Sequence, residues 1–445
     1  MSDFTPPSEV VDLLQQMIRN RCVNDGTVES GEEQRNVDLL DSFFAGSGLE
    51  TERHSSAPGR ESLVARIEGS DPTAPSLLLM GHTDVVPVNE GRWREDPFGG
   101  ELIDGEIWGR GAIDMFNLTS SMAWCVRDLA RSGYKPRGDV IYLAVADEEA
   151  GGQYGAGHLL KTIPEAVRAD YVITESGGFP LPGADATLLP VLVAEKGISW
   201  AKLIVTGTPG HGSMPFRTDN ALIKGAEVVR RIGEFRPATR IHNSWKAFVG
   251  SMGLPEEMTK PLTTEEGFVD AIAALPIGLS RMAYSCSHTT IAPTVVHGGA
   301  KLNIIPDTVE IELDIRTLPG DGPHEVRDMI RTAVGDLADD VEIVFGVGHP
   351  ATVSSMDTPL WDTLSRVTKR FYADSSIIPM LMIGATDARF FRDAGSVAYG
   401  FGMFSRNITM DDLASMGHGD DERIDLESLG MVTALWDAVV RDLMG

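Results

Sequence analysis

The chain has 445 residues, more than one hydrophobic core usually covers, so two domains are expected. Its 42% hydrophobic and 23% charged residues are ordinary for a globular protein, but its formal net charge is −27. With a pI near 4.7, that balance argues against nucleic acid and anionic membranes as partners, because both are held through clustered Lys and Arg.

Cys22, Cys125 and Cys286 are odd in number and far apart, which gives neither a disulfide framework nor a zinc-finger pattern and points to a reducing compartment. The first twenty residues carry early acids and no apolar signal core, and no run is long enough to span a membrane. A cytoplasmic protein is the expectation.

In chain order, Pro7–Asn20 and Gln34–Phe44 carry apolar stripes at helical spacing, the second stopped by Gly46-Ser47-Gly48. A strand near Leu63–Ile67 is followed by Ser76–Met80, a continuous apolar run of the kind buried parallel strands show. It ends in Gly-His-Thr-Asp, placing His82 and Asp84 where open α/β sheets put ligand-handling residues. A histidine with a carboxylate two residues on suits a metal ligand and its orienting partner, although alone such a pair is often incidental.

Asn89–Gly111 reads as glycine-rich loop, and Asp114 then precedes a helix over Leu118–Leu129, where by itself it reads as an N-cap. Val140–Ala146 is a second buried strand ending in Asp147-Glu148-Glu149, and Tyr171–Thr174 a third ending in Glu175. Three core strands terminating in a histidine or an acid, if parallel, gather those groups in one crevice.

From Glu195 the texture changes. A half-buried strand over Ile198–Val205, a helix over Asn220–Ile232, strands at Thr294–His297 and Val309–Thr317, a helix at Glu325–Leu337 and a strand at Val341–Phe345 predict a ferredoxin-like sandwich. The proline-broken segment 233–287 looks like an insertion. Helical periodicity returns at Leu360–Phe371 and closes the chain at Leu426–Leu443. The expected division is a catalytic domain from 1–195 and 353–445 with a lid, 196–352, inserted in it.

His82, Asp114, Glu149, Glu175 and His418 supply two imidazoles and three carboxylates, enough for two divalent ions if one carboxylate bridges. Glu148, beside a ligand but aimed elsewhere, is then free as general base.

The motifs GHTDVVP, GRGAIDM, ADEEAGG, VITESGG, GTPGHGSMP, NIIPD, ATDARFF and HGDDERID follow one another in this order. They resemble the family of co-catalytic zinc amidohydrolases that includes aminoacylase, glutamate carboxypeptidase and succinyl-diaminopimelate desuccinylase. The resemblance implies an α/β catalytic domain of the zinc-peptidase type, with a mixed central sheet flanked by helices and an inserted ferredoxin-like lid. It implies one metal on His82 and Glu175 and another on Glu149 and His418, with Asp114 bridging, Asp84 orienting His82 and Glu148 as base. It further implies a cis Asp114–Met115 peptide, and a homodimer formed through the lid in which His211 reaches the other subunit's active site. Asn303 and Arg316 match lid positions that bind the substrate's carboxylate, and Arg389 in the ATDAR motif is a third candidate. Phe116, Ala385 and the long 233–287 insertion depart from the pattern. The implied reaction is hydrolysis of an N-acyl amino acid or short peptide with a free carboxylate, using two Zn2+ (or Co2+ or Mn2+). A dipeptidase or carboxypeptidase is the nearer alternative, and a binding protein without chemistry the remoter one.

Overall fold

The computed structural model describes residues 4–183 and 185–445. Its centre is a mixed sheet in the order Thr51–Ala57, Arg60–Ile67, Val140–Val145, Leu77–His82, Tyr171–Thr174, Val397–Gly400, Thr187–Glu195, with Ser375–Met382 also paired to the last. The three strands whose ends carry the acids and His82 are adjacent and parallel, with His82 level with Val145 and Leu79 level with Ile173. Every residue of Leu77–His82 and Val140–Val145 is buried, which is why both read as unbroken apolar runs.

Helices cover the sheet. Phe116–Arg131 lies against Leu77–His82 so closely that a Cβ on Gly81 would meet the Thr119 hydroxyl at 2.3 Å. Ser8–Arg19 and Leu426–Met444 pack into the same core through Leu13, Met17, Leu435 and Trp436. Among the described residues no helix is long and apolar enough to cross a membrane.

The second sheet is antiparallel, with Val341–Phe345, Ala201–Thr206, Thr308–Thr317 and Thr290–Gly298 side by side. Helices Ala221–Glu234 and Pro323–Val334 bury Val228, Ile232, Val326 and Ile330 with one face of it. This is the strand order of a ferredoxin-like sandwich. Gly210–His211 and Ile304–Ile305 form a separate two-stranded ribbon.

Residues 233–287 hold four further helices, Asn243–Ser251, Glu256–Thr263, Phe268–Ala273 and Ile277–Ser287. They are short, and Pro261 lies inside the second, so no long periodicity could show in the sequence. Trp245, Phe248, Phe268 and Cys286 enter the core of the central sheet with Ile378 and Leu381, rather than that of the smaller sheet.

Candidate metal centre

The parallel strands deliver their ends to one place, and the chain there is bent sharply. Asp147, Ser176 and His418 all take left-handed backbone conformations, with φ of 70°, 70° and 56°. Such conformations cost L-residues energy and concentrate at functional sites. Asp147 turns the chain so that Glu148 and Glu149 follow in a single 3-10 turn, Glu148–Ala150.

Two groups of potential ligands result, His82 with Asp114 and Glu175, and Asp114 with Glu149 and His418, each with ligand atoms within 4.8 Å of one another. Asp114 belongs to both. Its Oδ1 lies 3.1 Å from His82 Nε2 and its Oδ2 lies 3.3 Å from His418 Nε2. His418 Nε2 is 3.1 Å from Glu149 Oε2, and His82 Nε2 is 4.0 Å from Glu175 Oε2.

The tautomer of His82 suits a ligand. Its Nδ1 donates to the Asp84 main-chain carbonyl at 2.9 Å, an acceptor only, so Nε2, which faces Asp114 at 3.1 Å, is the ring atom that becomes a ligand when it gives up its proton. The Asp84 carboxylate is farther from that ring, 3.6 Å, and instead accepts from the Glu149 N–H at 3.2 Å.

Asp114 does not cap the helix that follows. Met115 occupies that position, and the Asp114–Met115 peptide is cis. The Ile113 and Asp114 N–H groups donate to Glu422 Oε1 at 2.8 and 3.0 Å, and Arg110 grips the other oxygen of this fully buried carboxylate at 2.6 Å.

So many acids together perturb one another. Burial and the charge of Glu175 push Glu148 well above the usual carboxylate range, and burial with Asp114 does the same to Glu175. Burial opposes ionisation of Asp114, but hydrogen bonds from His418 and His82 outweigh it and hold its carboxyl below the ordinary value. Hydrogen bonds to Asp114 and Glu149 raise His418 to about 10. Burial works against a charge on His82, and the surrounding carboxylates still raise its pKa. Positive charge is what this cluster binds best. The buried Glu149 Oε1 has no hydrogen-bond partner among the described residues, leaving a lone pair for a cation. Nitrogen and oxygen donors around a shared carboxylate fit two divalent ions.

Glu148 makes no side-chain hydrogen bond among the described residues and belongs to neither ligand group. His211 stands exposed on the two-stranded ribbon, and Asn303 lies just before the ribbon's second strand, its carbonyl accepting from the Gly212 N–H at 2.9 Å. Arg316 is paired with Asp314 at 2.9 Å and lies over Trp200. Arg389 is buried, its guanidinium donating to the Thr386 and Gly151 carbonyls at 2.7 Å each, where it braces the turn after Glu149.

Sequence reasoning passed over Asn24, Glu33, Arg60, Asp387, Arg110 and Glu422, all buried around this centre. Arg110, Asp387 and Glu422 stand inside the motifs quoted above, which was the available signal for them. The others lie in segments that read as loop, helix end or strand.

A mixed α/β sheet whose parallel strand ends gather a carboxylate-bridged donor set, with a spare glutamate beside it, defines a metal-dependent hydrolase. The model of Peptidase family M20/M25/M40 matches residues 78–442, and the chain belongs to that family. It is 29% identical over 383 residues to human aminoacylase-1, covering 85% of this chain and 82% of that one. It is 28% identical over 378 residues to a probable carboxypeptidase S-like 2 of Dictyostelium discoideum, covering 82% and 71% of the two. In fold it resembles an M20 family metallo-carboxypeptidase from Sulfolobus solfataricus, with a TM-score of 0.72 at 17% identity over 98% of this chain and 99% of that one. Human carnosine dipeptidase 1 gives 0.62 at 15% identity, over 98% and 97%.

Proposed function

We propose that this enzyme hydrolyses the amide bond of N-acyl amino acids or short peptides that carry a free carboxylate, with Glu148 as general base. The observation that carries this reading is the pair of ligand groups sharing Asp114 beside an unengaged Glu148. Two divalent ions, zinc in the first place and cobalt or manganese as alternatives, would be held by His82, Asp114 and Glu175 and by Asp114, Glu149 and His418, supplying a polarised carbonyl and an acidified water.

The chain's own part follows from its geometry. Glu148, its affinity for protons raised by burial and by Glu175, takes a proton from the attacking water and returns it to the departing amine. His211 accepts at Nδ1 from the Ser213 N–H at 3.2 Å, so its proton is on Nε2, which is left free to donate to a developing oxyanion. Among the described residues the His211 ring hydrogen-bonds only with Ser213. In this reading its target is the centre of the partner subunit in a homodimer joined through the lid, whose outer strand Thr290–Gly298 is largely exposed. Asn303 and Arg316 are the lid groups for the substrate's carboxylate, the arginine once it exchanges Asp314 for substrate. Arg389, held by main-chain carbonyls, serves the turn instead. The acidic surface and reduced cysteines support a cytoplasmic setting.

Similarity to aminoacylase-1 favours N-acyl amino acids, with peptides as the second reading. The test is Glu148→Gln assayed on N-acetyl amino acids and on dipeptides. Turnover of the preferred substrate should fall about 10²–10⁴-fold while metal content stays at the wild-type level. Metal loss in this variant would instead make Glu148 a ligand and overturn the assignment.

A further inference from the structure

The turn that presents Glu148 and Glu149 is held from a direction the family match does not cover. Asn24 lies ahead of residues 78–442, on a segment bridged to the chain just after His82, with its N–H donating to the Val85 carbonyl at 2.8 Å. Its side chain is 3% exposed. Nδ2 donates to Asp84 Oδ2 at 2.8 Å and to Asp147 Oδ1 at 3.3 Å.

The orientation of that amide is fixed at its other end. Oδ1 accepts from the Gly26 N–H at 3.0 Å and from the Ser30 hydroxyl at 3.3 Å, so only the donor end can face the carboxylates. Asp147 is also gripped by Arg60 at 2.6 Å, and its N–H donates to Glu33 at 3.2 Å. The result is one amide between two acids that would otherwise repel each other.

Each of those acids governs a group in the reaction. Asp84 accepts the Glu149 N–H through the same oxygen that accepts from Asn24, and its carbonyl fixes the His82 ring. Asp147 is the left-handed residue that sets the direction of Glu148. We infer that Asn24 is a positioning residue of the reaction, joining Asp84 to Asp147 so that His82, Glu148 and Glu149 keep a common register. This rests on the function proposed above and adds to it a residue acting through two others.

The test compares Asn24→Ala and Asn24→Asp with wild type, each stripped of metal and titrated with Co2+ while its visible absorption is followed. Steady-state kinetics are then measured on the loaded proteins. Losing a partner of this kind costs about 10–100-fold in metal affinity or activity. Co2+ affinity and kcat should both fall into that range with KM little changed, and Asn24→Asp should fall further because it sets a third carboxylate between the other two. A lowered melting temperature with wild-type kcat per folded molecule and wild-type Co2+ affinity would overturn the inference. If Asn24→Ala does not fold, Asn24→Asp, which keeps the shape, carries the test. Glu148→Gln is run alongside. If it turns over normally, the proposed function fails; if it is silent while the Asn24 variants are normal, only the role of Asn24 fails.

Discussion

Two histidines, in two regions of the molecule, show opposite preparations of the same ring. His82, buried at a strand end, donates from Nδ1 to the Asp84 carbonyl and turns Nε2 to Asp114 and Glu175. His211, exposed on the lid ribbon, has its Nδ1 occupied as an acceptor by Ser213 and so keeps a proton on Nε2. In the function proposed above, the first holds a cation and the second donates a hydrogen bond. The first finds its partners within the chain. The second meets only Ser213 among the described residues, and the homodimer proposed above would supply its target.

The largest effect expected is at the shared carboxylate. Asp114→Asn replaces a bridging anion by a neutral amide, so both ligand groups lose a member at once. Turnover should fall below detection and metal content, read by mass spectrometry, to well under the wild-type value. Full retention of both ions would show that the two groups are independent and would dissolve the first half of the comparison. His211→Ala sharpens the second half. Its metal content should stay unchanged while kcat falls about 10²–10³-fold, the cost of one oxyanion donor. Mixing it with Asp114→Asn under conditions that exchange subunits should restore activity, because the hybrid pairs one intact centre with one intact ring. If mixing restores nothing, His211 does not cross between subunits.

The same contrast explains what the sequence made legible. His82, Glu149 and Glu175 stood out because each ends a continuous apolar run, and the parallel pairing of those runs brings the ends together. The smaller sheet with its two helices was legible because its strands and helices alternate with clear periods. Thr187–Glu195 and Ser375–Met382 were not, since each contains a proline, Pro190 and Pro379, which normally argues against an interior strand. Here the two strands pair with each other in parallel, and the Pro190 carbonyl still accepts from the Gly178 N–H. Asn24, Glu33 and Arg60 were invisible for another reason. Their meaning is a meeting in space of a loop, the edge of a helix and a strand, and no local pattern records it.

The smallest effect concerns a carboxylate outside both ligand groups. Asp387 is 1% exposed, and neither of its oxygens has a hydrogen-bond partner among the described residues. It sits against the turn after Glu149, where a Cβ on Gly152 would lie 2.1 Å from its Oδ1. Burial raises its pKa to about 7, against the pull of Arg389 and with the push of Asp84. In the unfolded chain the same group titrates near about 3.9. Between those values the native state holds a proton that the unfolded state has released, so stability must fall as pH rises through that window and level off above it. In chelator-treated protein, the urea midpoint should therefore drop between about pH 4 and pH 7, with Glu148 and Glu175 adding in the same direction. Asp387→Asn cannot release that proton. The difference between the two curves isolates its share, the variant gaining on wild type as pH rises. Loading with divalent cations should shrink the difference, because nearby positive charge favours the ionised carboxyl. If the variant keeps the full slope of the wild type, Asp387 is ionised throughout.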